Sequence, residues 1–576
     1  MKKYIILGIS LAAGLLTLAS CNQALLDIPK KGVVTYEAFY DGSEENAEAA
    51  TLAIYSQYMK SINLGCTDEF PTWVIAPSYY VLTNAPSDDT YYGSGGPGDH
   101  TFGLEINEFR PSFGSNSTVV RFAYRSFYQI IYACNVMLAN FDPATSAKVA
   151  RNVAEARALR AMAHLFLATY WGTPPMVDQL LGGEDRPTNS DHDTLMNWII
   201  SELDDAAKDL PSRGSKNNKE MAVRLSKEAA WAFEGKAQMQ AKKYADAKVT
   251  LKKVIDSGMF ELVSGPEMWN LFHVAGDCST EKVFEFNFVY NENLSGFAGF
   301  YNFQRSNSCT WRDLKKLPMP FMQINDGWGG GGNPSQSFVD AIMENEPNSY
   351  RRKAWLISYE ELLTDYAYTF DDDATMTKEQ KLLDPRRGLS ASRYFGNVGY
   401  FMIKYMPLET ELCNPNDQHL NDNNTVLMRY AEVLLMYAEA CAQTNDASGL
   451  TYLNMVATRA GAPTYASLTL DNVKKEKRFE MFMEGCRFAD LVRWGDAATV
   501  LKDQGKSVPS FTDPFDASKG IPHKAVVDLS KADEDGWGEG FKANKNELMP
   551  FPLGELQINP WNEETGEGIK QNPGWN

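Results

Sequence analysis

The sequence predicts a mainly α-helical protein in which a helical scaffold carries long irregular loops. Apolar residues recur at steps of three and four over many segments, as in residues 148–171, and this spacing is typical of amphipathic helices. Between these segments lie long stretches rich in Gly, Pro, Asn, Asp and aromatic residues, with only short strand-like runs such as 283–290. Irregular stretches of this length are usually functional. We therefore expect the helices to form a scaffold and the loops to form the functional surface.

The N-terminal segment has the composition of an export signal. Two lysines precede an apolar run over residues 4–18, and the motif Leu-Ala-Ser-Cys that follows is typical of a lipobox. In a lipobox the cysteine, here Cys21, receives acyl chains such as palmitate. A plain signal peptide followed by a chance cysteine is the alternative. We favour the lipobox and predict that residues 1–20 are removed, and that residues 21–576 form a single domain tethered to a lipid bilayer at Cys21.

The net charge of the chain excludes nucleic acid as a partner. The 576-residue chain has a formal charge of −19, and loss of the two signal lysines makes it −21. Such an acidic chain repels phosphate backbones, so we expect no nucleic-acid partner.

The chain has eight cysteines, so lipidation of one leaves an odd number and at least one unpaired thiol. Small buried thiols on apolar helix faces are expected at Cys134, Cys441 and Cys486.

Nine helices are predicted from the apolar spacing. They lie at 44–60, 119–140, 148–171, 191–209, 226–241, 244–257, 428–443, 446–460 and 471–484. Residues 227–258 and 430–461 each contain two helices joined by a short turn, and their small residues resemble those of a tetratricopeptide repeat. Such pairs cannot bury their apolar faces alone and must stack on neighbours.

These elements divide the predicted domain into a scaffold and a ligand face. The scaffold is expected at roughly 36–60, 119–260 and 426–495, and the ligand-face loops at roughly 61–118 and 262–425.

Several motifs in order along the chain resemble the SusD/RagB family of nutrient-binding outer-membrane lipoproteins. The most specific are Glu-Gly-x-Arg-x-x-Asp-Leu-x-Arg-Trp-Gly at 484–495 and Gln-Asn-Pro-Gly-Trp at 571–575. The other matching segments are the lipobox cysteine followed by 25–40, then 154–177, 428–440 and 548–560. The resemblance covers the helical blocks and both termini but not residues 61–118 or most of 262–425.

The resemblance implies a SusD-like fold with four tetratricopeptide-like helix pairs packed against irregular loops and short strands. It also implies a non-enzymatic lipoprotein of the outer membrane that faces the cell exterior, needs no cofactor, and delivers oligosaccharide or polysaccharide to a SusC-like TonB-dependent transporter. Some relatives carry peptides, so a peptide-binding RagB-like subunit is an alternative. Residues 22–24 lack the acidic residues that would favour surface display, so the outward orientation is implied by the family alone.

Aromatic clusters in the loops are the candidate ligand site. A sugar ring can lie flat on an aromatic side chain, while its hydroxyl groups need polar partners. The candidate residues are Trp73, Tyr79, Tyr80, Tyr91, Tyr92, Tyr301, Trp311 and Trp328, with Asp68, Arg312, Asn325 and Asp326 as polar partners. For any single ring, packing against the scaffold is an equally good explanation.

Catalytic signatures are missing from the sequence. The six histidines are scattered, without a His-Glu-x-x-His motif, and there is no Gly-x-Ser-x-Gly elbow, so we expect neither a catalytic metal nor a serine nucleophile. In the motif at 484–495, Asp490 lies three residues from both Arg487 and Arg493, which favours a structural ion pair. The alternatives are a surface glycoside hydrolase that uses two loop carboxylates, and an adaptor that binds only protein.

Overall fold

Seventeen α-helices and nine short strands form the described part of a computed structural model of the chain. The structure describes residues 36–63, 78–92, 98, 101–288, 332–358, 361, 394–406, 408–411, 413, 422–512, 526–528 and 537–575. The helices are α1 (Tyr36–Phe39), α2 (Glu44–Asn63), α3 (Ser78–Asn84), α4 (Thr101–Asn107), α5 (Thr118–Asn140), α6 (Ala147–Trp171), α7 (His192–Asp209), α8 (Lys227–Gln240), α9 (Tyr244–Asp256), α10 (Gln336–Asn345), α11 (Tyr350–Trp355), α12 (Tyr430–Gln443), α13 (Gly449–Ala460), α14 (Leu470–Glu480), α15 (Arg487–Trp494), α16 (Ala497–Val500) and α17 (Leu553–Ile558). The strands are β1 (Thr90–Tyr91), β2 (Lys282–Phe286), β3 (Asn333–Pro334), β4 (Leu356–Ser358), β5 (Tyr394–Phe395), β6 (Tyr400–Met402), β7 (Thr425–Arg429), β8 (Ser510–Thr512) and β9 (Val526–Asp528). The predicted signal segment 1–20 and Cys21 lie outside the described residues.

Eight of these helices pack as four pairs. The pairs are α2 with α5, α6 with α7, α8 with α9, and α12 with α13. Contacts of α5 with α6, α7 with α8, and α9 with α12 join the pairs into one continuous stack. Each pair thereby covers the apolar face that its neighbour cannot bury alone.

Side-chain caps set where the long helices begin. Ser146 accepts a hydrogen bond from the Val149 N–H at the start of α6, and Asp191 accepts one from the Thr194 N–H at the start of α7. Each cap satisfies a backbone donor that has no partner within the helix. Helix α15 ends at a glycine. Gly495 adopts a left-handed conformation with φ of 81°, which a glycine accepts without strain.

All nine helices predicted from the apolar spacing are present, with small differences at their ends. The helix predicted at 428–443 begins at Tyr430, because the two residues before it pair with β2 as the end of β7. The helix predicted at 471–484 ends at Glu480. The buried cysteines were also predicted correctly, since Cys134, Cys441 and Cys486 are buried.

The stretches predicted as irregular contain more helix than expected. Helices α3 and α4 lie within 61–118, and α10 and α11 lie within 262–425. These helices have six to ten residues, fewer than three turns, which is too short for a clear apolar period. The strand predicted at 283–290 is β2, which ends at Phe286.

Short antiparallel sheets connect distant parts of the chain. The pairs are β1 with β3, β2 with β7 and β4 with β6, and β8 lies between β5 and β9. Because β7 leads directly into α12, its pairing with β2 fixes the middle of the chain to the helical stack.

Two hydrophobic cores lie beneath these elements. The larger core runs through the helical stack and contains residues from Ala47 to Ile569. The smaller core gathers rings from α10, α11 and the segment after α14, and the Phe338 and Phe482 rings stack there at 4.0 Å.

A network of fully buried charges joins the two cores. The Arg429 guanidinium lies 2.5 Å from Glu281, 3.0 Å from Glu480 and 2.6 Å from Glu484. Arg459 also pairs with Glu480. Arg429 follows Met428 of the larger core and lies over the ring of Phe272 in the smaller one, so the network spans the boundary between them.

Glu480 is the carboxylate on which this network converges. Burial alone would raise the pKa of Glu480, but the guanidinium groups of Arg459, Arg429 and Arg351 outweigh it and lower the pKa to about 2. The carboxylate is therefore ionised over the whole physiological range, and the folded state stabilises its charge.

We expect Glu480→Gln to lower the free energy of unfolding by about 3–5 kcal/mol, because it leaves buried guanidinium groups with one carboxylate fewer. Urea denaturation followed by circular dichroism measures this loss. The matched control is Asp205→Asn, whose partner Lys208 is exposed; it should cause no measurable change. Similar stabilities of the two variants would show that the network contributes little.

Glu480→Gln also tests how the contribution of this carboxylate to stability depends on pH. A carboxyl group whose pKa is lower in the folded than in the unfolded chain stabilises the fold above the unfolded pKa, and this contribution disappears as the pH falls through the folded pKa. The difference in stability between wild type and Glu480→Gln should therefore be constant above pH of about 4.3 and shrink between that pH and about 2. Denaturation curves recorded across this range test it, and a difference that does not depend on pH would contradict it.

Candidate functional site

A cleft enters the helical stack where α3, α6, α8, α12 and α15 meet. We call it the scaffold cleft; its lining includes Tyr58, Tyr79, Phe127, Phe166, Tyr170, Lys236, Glu432, Cys486 and Asp490. Its volume is about 90 Å³, whereas sites that enclose small organic ligands measure about 300–1,000 Å³. In this structure the scaffold cleft has room for a few water molecules and not for a sugar ring.

Stacked rings form the apolar wall of the scaffold cleft. Phe127 of α5 and Phe166 of α6 stack at 3.8 Å with an angle of 14° between their planes, and Tyr79 lies 5.3 Å from Phe166. Burial raises the pKa of Tyr79 to about 12. Tyr79, predicted to bind the ligand, is therefore part of the packing between α3 and the helical stack.

An ion pair between half-buried Lys236 and buried Glu432 forms the polar wall. The Lys236 ammonium lies 2.9 Å from Glu432, and the Cys486 thiol donates to the same carboxylate at 3.4 Å. Burial lowers the pKa of Lys236, but the charge of Glu432 outweighs it, so the pKa is raised. Burial, together with Glu432, raises the pKa of the Cys486 thiol, which keeps it protonated and unsuited to nucleophilic attack.

The charged motif on α15 is structural, as predicted. Asp490 lies 2.8 Å from Arg493, which also pairs with Glu439 of α12. The other arginine, Arg487, does not pair with Asp490 and instead makes two hydrogen bonds of 2.8 and 2.9 Å to Asp88, beyond the end of α3. The motif thus connects α15 with two other elements.

The C-terminal motif fixes the end of the chain to the helical stack. The Asn572 side-chain amide donates to the carbonyl oxygens of Trp171, at the end of α6, and Met549. The Trp575 indole N–H lies within 2.9 Å of the carbonyl oxygen of Leu548. These side chains act as anchors for the backbone.

The remaining described tyrosines of the predicted site do not meet on one surface. Tyr80 and Tyr92 are 3% and 4% exposed, and they belong to different cores. Tyr91 is half-buried against the larger core, and burial raises its pKa to about 12. Tyr80 and Tyr92 therefore pack against the scaffold, which is the alternative explanation that the sequence left open for any single ring.

The other predicted site residues lie outside the described residues, and their role in binding stays a prediction. They are Trp73, Tyr301, Trp311, Trp328, Asp68, Arg312, Asn325 and Asp326.

A second concavity lies on the surface between α5 and α17. We call it the tyrosine groove; its lining includes Gln57, Arg121, Tyr124, Arg125, Tyr128, Gln129, Tyr132, Gly554, Glu555 and Ile558. Its volume of about 680 Å³ is within the range of ligand sites. None of these residues was predicted to bind a ligand. Three tyrosines at steps of four within a predicted helix were the available signal, because this spacing places the rings on one helix face.

Comparison with known proteins tests the predicted family. Residues 325–575 match the model of the SusD family. This part of the chain is similar to the SusD family. A SusD-like protein of Bacteroides ovatus is 23% identical over 501 residues, which cover 84% of this chain and 81% of the relative.

Solved structures show that the SusD-like fold extends over nearly the whole chain. A laminarin-binding SusD-like protein superposes with a TM-score of 0.67 at 23% identity, covering 92% of this chain and 99% of its own. Surface glycan-binding protein A from Bacteroides thetaiotaomicron, solved in complex with laminarihexaose, has a TM-score of 0.64 at 20% identity, with the same coverage of both chains. The predicted fold class is confirmed.

Within the residues that the structure describes, two features are absent. No group of three or more His, Cys, Asp or Glu side chains there could hold a metal ion. No described helix is both long and apolar enough to cross a membrane.

We expect Tyr92→Ala to destabilise this SusD-like protein by about 3–5 kcal/mol, because the ring fills a close-packed site over Gly103. Urea denaturation measures the loss. Tyr132→Ala is the control: its ring is 64% exposed, so the change should stay within about 0.5 kcal/mol. Wild-type stability of Tyr92→Ala would contradict its assignment to the core.

Proposed function

We propose that this SusD-like protein captures an oligosaccharide or polysaccharide at the cell surface and delivers it to a SusC-like TonB-dependent transporter without cutting it. The observation that carries the proposal is the SusD-like fold, shared over 92% of the chain with a protein that binds laminarin. The laminarihexaose complex of a second structural relative supports a glycan as the ligand class.

The proposal includes the membrane tether. Residues 1–20 are removed, Cys21 is acylated, and residues 21–576 form one domain on the outer face of the outer membrane. The lipobox sequence supports the tether. The single domain is supported by the larger core, which includes residues from both ends of the described chain.

The aromatic loops supply the proposed binding site. Trp73 and Trp311 lie in the segments 61–118 and 262–425, among Asp, Asn and Arg residues that suit sugar hydroxyl groups. The described elements of these segments, such as α3 and β2, pack against the helical stack. A rigid scaffold with variable loops is the usual arrangement of a binding protein.

Affinity electrophoresis tests the proposal. Native gels containing laminarin, starch, xylan or pectin should retard the wild-type protein in at least one polymer. In that polymer, Trp73→Ala and Trp311→Ala should each weaken binding roughly three- to tenfold, since a stacked ring contributes about 0.5–1.5 kcal/mol beyond the area it buries. Trp537→Ala, which removes a half-exposed ring outside both loop segments, is the matched control and should migrate like wild type.

Three results would count against the proposal. Wild-type migration in every polymer would exclude a glycan of these classes as the ligand. Unchanged retention by both tryptophan variants would contradict the placement of the site. Sustained release of reducing ends from the retained polymer during long incubation would show catalysis and favour a glycoside hydrolase.

A further inference from the structure

The tyrosine groove has the dimensions of a ligand site and lies outside the predicted ligand-face loops. Its floor is the outer face of α5, and its opposite wall is the segment around α17. Its volume of about 680 Å³ has room for a sugar ring. The scaffold cleft, by contrast, holds about 90 Å³ within the stack.

Three tyrosines four residues apart form a ladder along α5. Residues at this spacing share one face of a helix and rise about 6 Å per step. Tyr124 is buried, and its ring lies 5.3 Å from that of Trp171 and 4.8 Å from that of Tyr128. Tyr128 is half-buried and donates its hydroxyl to the Pro175 carbonyl oxygen at 2.8 Å.

Tyr132 is the exposed end of this ladder. Its side chain is 64% exposed, although a tyrosine ring gains free energy when its apolar faces are covered. Burial, Tyr36 and Tyr132 together raise the pKa of Tyr40, whose ring lies 4.5 Å from that of Tyr36. Tyr36 is itself 54% exposed.

Polar side chains alternate with these rings. Gln57 of α2 donates to Gln129 of α5 at 3.4 Å, and the Arg121 and Arg125 guanidinium groups also line the groove. Glu555 lies in the opposite wall, and burial raises the pKa of its carboxyl group. Amide and guanidinium donors beside amide and carboxyl acceptors match the hydroxyl groups of a sugar, which both donate and accept hydrogen bonds.

We propose that the tyrosine groove is a second glycan-binding surface of this protein, in which one sugar ring lies on Tyr132 and the polymer continues between α5 and α17. The inference rests on the proposed function, since it takes a glycan as the ligand. A lipid tail would require apolar walls, whereas this groove combines aromatic rings with two guanidinium groups, two amides and a carboxyl group.

Two variants test the groove in the polymer that retards the wild type. Tyr132→Ala removes the exposed ring, and we expect the dissociation constant from affinity electrophoresis to rise roughly three- to tenfold. Gly554→Gln narrows the groove from the opposite wall; a side chain fits there because no atom lies within 4 Å of the position of its Cβ. It should weaken binding to a similar extent.

One control accompanies them. Trp537→Ala removes a half-exposed ring that lies neither in the lining of the groove nor in the ligand-face segments, and it should bind like wild type. Circular dichroism verifies that each variant is folded.

The outcomes separate this inference from the proposed function. If the wild type is retarded and both Tyr132→Ala and Gly554→Gln migrate like it, the groove does not bind glycan and the proposed function stands. If no polymer retards the wild type, the proposed function fails and the groove proposal fails with it. Equal weakening by Trp537→Ala would show that the effect is not specific to the groove and would also overturn the inference.

Discussion

The pairing of Glu480 with buried arginines is the constraint on which the rest of the structure depends. Its partners Arg429, Arg459 and Arg351 come from a strand and two helices that are separated in the chain. A buried charge without its partner is strongly destabilising, so the network is favourable only when all of these elements are in place. It therefore couples the helical stack to the smaller core.

The motifs that carry the family resemblance serve this framework. The α15 motif connects three elements through ion pairs, and the C-terminal motif anchors the last residues through hydrogen bonds to backbone carbonyl groups. Neither supplies the chemistry of a ligand site. A framework held by such contacts can keep its shape while the loops change, which explains how solved structures of only 19–23% identity share one fold with this chain.

The two concavities differ in size and in position. The scaffold cleft is lined by stacked rings and by the ion pair of Lys236 with Glu432, and these contacts hold the surrounding helices together. The tyrosine groove is open at the surface, where a long chain needs no entrance and no closing lid. Exposed rings and mixed donors and acceptors on rigid helices then provide contacts without ordering a loop.

The sequence by itself determined the positions of the long helices, the pairing of α8 with α9 and of α12 with α13, and the structural role of the α15 motif, because apolar spacing and short-range charge pairs are local properties. Only the tertiary structure decided which aromatic rings are covered. Tyr80 and Tyr92 are rings among polar residues in the sequence, just as Tyr132 is a ring within a helix, yet the first two are buried and the third is exposed. The spacing of side chains shows which face of an element is apolar, but exposure depends on the distant segment that packs against that face.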